Sequence, residues 1–77
     1  MKIYLLFACD TWKSADSFRL VMATTNKKTL LSKINKEIKG NNMELSDNLN
    51  SFNGDLRAID TALTYGYIQE VENVEEL

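Results

Sequence analysis

Between residues 9 and 19 the chain gathers Cys9, Asp10, Trp12, Lys13, Ser14, Asp16, Ser17 and Arg19, its densest mixture of thiol, carboxylate, hydroxyl, cation and aromatic groups. An indole face stacks on a base or a cation, and Lys, Arg and hydroxyl groups are the donors that hold phosphates. Asp10, Trp12, Lys13, Ser14, Ser17 and Arg19 therefore make a candidate ligand- or partner-binding loop. The same residues support a structural reading, in which Asp and Ser bond their own backbone and Trp12 closes the core as a lid. Both readings stand on the residues alone.

Catalysis has little to work with. The sequence contains no His, which removes the ordinary base for a Ser or Cys nucleophile. Cys9 falls at a strand end, where a small buried thiol is the usual case. Asp10 and Asp16 form a carboxylate pair across the loop only if they give up local backbone bonds. No Gly-rich phosphate loop and no metal-ligand spacing is present in the sequence. The expectation is a non-enzyme with no catalytic residue, no metal and no cofactor.

Composition narrows the setting. Seventy-seven residues suffice for one small domain, 1–77, whose stability is marginal without a partner chain or other support. One Cys excludes an internal disulfide and fits a reducing cytoplasm. Leu6-Phe7-Ala8-Cys9 looks like the end of a lipoprotein signal, but only Lys2 and a short apolar run precede it. No stretch is long enough to span a membrane, so a cytoplasmic protein without membrane contact is expected. Net charge is −2, yet residues 1–40 carry +5 and residues 41–77 carry −7. That asymmetry steers encounters or favours head-to-tail contact, unless the two halves offset each other in the fold. An acidic total, with helix lysines spaced all round, argues against nucleic acid as a partner.

The loop must be positioned by the elements around it. Residues 2–9 and 18–24 alternate as strands and read as an antiparallel hairpin with a long connection. Thr24-Thr25-Asn26 caps a helix to about Lys39, with Leu30, Leu31, Ile34 and Ile38 as its stripe and Gly40 as a left-handed stop. Residues 41–53 read as loop, with Met43, Leu45 and Leu49 free to fold back onto the core. A second helix fits from about Gly54 to Tyr65, capped by Asn53 and ended by Gly66. Residues 67–72 then form a third strand, before an acidic tail.

The sum is an α+β fold of order ββααβ, a three-stranded sheet with two helices packed on one face. A third strand beside the first would run parallel to it. The alternation assigns Tyr4, Leu6, Ala8, Val21 and Ala23 to the uncovered face, as an interface for a homodimer or a target. The alternative is that the 41–53 loop or the tail covers it.

Cys9-Asp10-x-Trp12-Lys13-Ser14, then Ser17-x-Arg19-Leu20, a Lys-rich helix and Leu-Thr-Tyr-Gly-Tyr-Ile-Gln-Glu-Val-Glu at 63–72 resemble a loose group of short proteins encoded by bacteriophages and mobile elements of low-GC bacteria. The group carries no assigned activity, so no functional residue is transferred from it. The resemblance implies a small accessory protein that binds, redirects or blocks a host protein, defence systems included, in the host bacterial cytoplasm. The alternative is a nucleotide-binding or nucleotide-sequestering module using Trp12, Lys13 and Arg19. A nucleic-acid-binding regulator is a further alternative.

Overall fold

Leu6 is fully buried, whereas Ile3 on the same strand is 36% exposed. That contrast sets the layering of the molecule. The computed structural model describes residues 2–72. In chain order it contains β1 (Ile3–Ala8), β2 (Arg19–Thr24), α1 (Lys27–Lys39), β3 (Glu44–Leu45), α2 (Leu56–Ala62), β4 (Leu63–Thr64) and β5 (Gly66–Val71), with 3-10 turns at Ala15–Ser17 and Leu49–Phe52. The architecture is α+β: a three-stranded sheet of order β2-β1-β5, two helices, and a two-stranded β3-β4 ladder.

Even positions of β1 face the helices. Leu6 joins Leu30 and Ile34 of α1, Leu56 and Ile59 of α2, Met43, Leu63 and Ile68 in one buried cluster. Tyr4, Ala8, Val21 and Met22 pack against it from the sheet, and Leu45, Leu49 and Phe52 from the connection. The expected fold-back of Met43, Leu45 and Leu49 is thus realised; Met43 is 1% exposed.

The expected uncovered face is corrected for four of its five residues. Tyr4, Leu6, Ala8 and Val21 lie on the helix side, and only Ala23 lies on the open side. Two causes act together. In β1 both alternating sets are apolar, so hydropathy alone does not choose between them. In β2, Leu6 pairs with Met22 and Phe7 with Leu20, leaving Val21 without a partner. This bulge puts Val21 and Met22 on the same side and shifts the phase of the strand.

The third strand is also corrected. β5 runs antiparallel to β1, from Ile3 opposite Val71 to Ala8 opposite Gly66. The reason lies in residues 63–66, expected to end a helix. They form an extended corner instead, with Tyr65 at φ 69, that redirects the chain into β5. Gly66 is there for space, because a Cβ would sit 2.6 Å from Leu63 Cδ2 and 2.7 Å from Met43 Sδ.

Helix limits follow the capping chemistry. Asn26 Oδ1 accepts from Lys28 N and Thr29 N, as expected for the start of α1. At its end Gly40 has φ −84, and Asn41 (φ 64) takes the left-handed position instead. α2 is capped by Asp55, whose carboxylate accepts from Arg57 N and Ala58 N; Asn53, expected in that role, is left-handed. Among the described residues, three ion pairs join the basic first half to the acidic second: Lys2–Glu70, Lys2–Glu72 and Lys13–Asp60. The acidic tail beyond residue 72 lies outside the described residues.

Candidate functional site: the Trp12 loop and the open sheet face

The loop between β1 and β2 is built from its own polar groups. Asp10 carboxylate oxygens accept from Ser14 N at 3.0 Å and from Ser14 Oγ at 2.7 Å. Asp10 N donates to Ser17 Oγ at 3.0 Å, and Ser17 Oγ donates to Ser14 O at 2.8 Å. Lys13 N closes a turn on Asp10 O, with Lys13 at a left-handed φ of 53. These bonds favour the charged carboxylate, so Ser14 holds the Asp10 carboxyl below its ordinary range. Burial pushes the Cys9 thiol up, away from the thiolate.

Lys13 fastens this loop to the helical layer. Its Nζ donates to Asp60 O at 2.9 Å and lies 3.8 Å from Asp60 Oδ1. That carboxylate oxygen also accepts from Ile68 N at 2.9 Å, on the outer edge of β5. Between the fixed Asp10 and the fixed Lys13, the Trp12 side chain projects with 84% of its surface exposed. Trp12 is therefore no lid over the core.

The residues of the loop separate in space. Arg19 pairs with Ala8 and lines an open cleft of about 420 Å³ with Cys9, Asp10, Ser17, Glu37, Asn42 and Tyr65. Trp12 and Lys13 are not among the residues lining that cleft. The expected Trp12, Lys13 and Arg19 constellation is thus divided: Lys13 is engaged by Asp60, and Arg19 opens into a cleft that also holds Asp10 and Glu37 carboxylates.

The open side of the main sheet was not located correctly from the sequence. It carries Ile3, Leu5, Phe7, Phe18, Leu20, Ala23, Tyr67, Gln69 and Val71, as the register and the alternation require. Phe18 stacks on Tyr67 at a centroid distance of 5.0 Å and on Phe7 at 5.7 Å, a three-ring cluster spanning the sheet. Leu20 is 55% exposed. One signal in the sequence points to this side: counted along the strands, Lys2, Glu70 and Glu72 all fall in the phase of Leu6 and Ile68, leaving the other phase uncharged.

Comparison of the sequence with protein-family models, with curated proteins and with solved structures gave no match. Among the described residues, no helix is long and apolar enough to cross a membrane.

Proposed function

We propose that this chain is a non-enzymatic phage accessory protein that binds a host protein, in host takeover or inhibition of defence, and that the Trp12 loop makes the contact. The observation that carries the reading is a Trp side chain 84% exposed on a loop whose neighbours are fixed by hydrogen bonds. An indole presented from a fixed loop meets two demands of a binding hot spot: a large apolar surface to bury, and little backbone entropy left to lose. The setting, a host bacterial cytoplasm, comes from the resemblance of the 9–20 and 63–72 segments to short phage proteins.

The test uses the immobilised chain and a host extract, with wild type and Trp12→Ala compared side by side. A host protein retained by wild type and lost from Trp12→Ala, then bound again as a purified pair, supports the reading. Equal capture by both chains rejects the loop as the contact.

The nucleotide reading is weaker, because Lys13 is occupied by Asp60 and Arg19 faces a cleft that also holds carboxylates. Titration with mono-, di- and cyclic nucleotides, followed by Trp12 emission, separates the two. A saturable quench at micromolar nucleotide favours the nucleotide module over the protein contact.

A further inference from the structure

We propose that a second copy of this chain covers the open side of the β2-β1-β5 sheet, face to face, about a two-fold axis running across the strands.

The first support is the distribution of charge. Among the described residues, Lys2, Arg19, Glu70 and Glu72 fall in the phase of the helix side, and every side chain on the open side is neutral. A solvated sheet face normally carries the polar members of the alternation; here it carries the apolar ones. Such a face offers no counter-charge to a phosphate chain or a charged peptide. It also meets no repulsion from its own image, which is what a self-complementary interface requires.

The second support is shape and polar satisfaction. Phe7, Phe18, Leu20 and Tyr67 make one end of the face bulky, while Ile3 and Val71 form the thinner end. An axis across the strands lays each bulky end over the other copy's thinner end. Leu5 and Gln69, which are register partners, then fall near the axis. Gln69 faces the same residue of the other copy, and two amides can donate and accept reciprocally. An axis along the strands would instead place Gln69 over Ala23 and leave its amide unmatched.

The size of the face sets the strength. Three strands about 4.8 Å apart and six residues long give a footprint of roughly 14 by 20 Å. That is small beside the roughly 800 Å² per partner of a standard interface, so the pair is weak and forms reversibly.

Sedimentation equilibrium of the full chain tests this, between about 1 and 300 µM, the range in which a weak, reversible pair titrates. The expected result is a monomer–dimer transition whose midpoint rises about tenfold or more in Leu20→Glu and in Ala23→Glu. Both positions are exposed in the single chain, so these variants fold. Lys36→Glu, at an exposed position of α1 away from the open sheet face, leaves the midpoint unchanged. For the axis, Gln69→Cys in a Cys9→Ser background is expected to be joined into a covalent dimer by a short bismaleimide. A wild-type chain that stays monomeric throughout overturns the proposal, as do Glu variants that dimerise like wild type. Failure of Gln69→Cys to cross-link while wild type dimerises overturns the axis.

Discussion

Lys13 and Asp60, 47 positions apart in the chain, meet at 2.9 Å through the Lys13 ammonium and the Asp60 main-chain oxygen. The Asp60 carboxylate serves a second purpose, accepting the Ile68 amide on the outer edge of β5. One residue therefore fixes both the Trp12 loop and a sheet edge to α2.

Lys13→Met should loosen the loop without unfolding the protein. The half-exposed contact stabilises the fold by about 1 kcal/mol, the scale of a charge-assisted hydrogen bond reduced by solvent. Trp12 fluorescence anisotropy is expected to fall, while the far-ultraviolet circular dichroism stays as in wild type. Asp60→Ala keeps the main-chain oxygen that Lys13 uses but leaves the part-buried Ile68 N–H without its acceptor, and should cost about 1–3 kcal/mol. Urea unfolding distinguishes the two.

Acid should release the loop late. Asp10 has a folded pKa held below its unfolded value of about 3.9, so its stabilisation is complete above that value and is lost as pH falls through the folded one. Trp12 anisotropy is expected to hold from neutral pH to about 4 and to drop below it. In Asp10→Asn the anisotropy is lower at neutral pH and this acid step is absent.

Gly66→Ala should destabilise the fold by about 1–3 kcal/mol through overpacking. Its added methyl meets Leu63 Cδ2 and Met43 Sδ inside normal contact distance, and both atoms belong to buried side chains. Thermal unfolding measures the loss. Trimming the neighbour, in Gly66→Ala with Met43→Ala, should not restore wild-type stability, because that change opens a cavity of its own.

Leu30→Ala is expected to cost about 2–5 kcal/mol, since Leu30 is fully buried between α1 and the sheet. In a chain of this size that is a large share of the total stability. Chemical denaturation should show a midpoint shifted strongly down, or a chain already unfolded in water.

Much of this fold was legible in the sequence. The strand 2–9, the strand 18–24, the helix to Lys39 and the return of Met43 onto the core follow from periodicity and capping, and the structure has them. The open face was not legible from hydropathy, because β1 is apolar on both sides and an unpaired Val21 shifts the phase of β2. Charge phase was the better guide: Lys2, Glu70 and Glu72 mark the helix side. The direction of β5 was hidden by Tyr65, since a bulky residue at positive φ is not anticipated from composition. In the loop, Asp10, Ser14 and Ser17 belong to local turn chemistry that the sequence suggested, whereas the Lys13–Asp60 contact spans too much chain to be read from spacing.

The pairing of Ile3 with Val71 and of Ala8 with Gly66 has a consequence for synthesis. The middle strand of the main sheet emerges first and one of its two neighbours last, so no N-terminal fragment ending before β5 can complete that sheet. While the ribosome makes the intervening segments, β1 can zip to β2 but keeps one flank of backbone amides and carbonyls open to other nascent chains. A premature stop near Tyr65 would thus yield a sticky half-sheet rather than a smaller working protein.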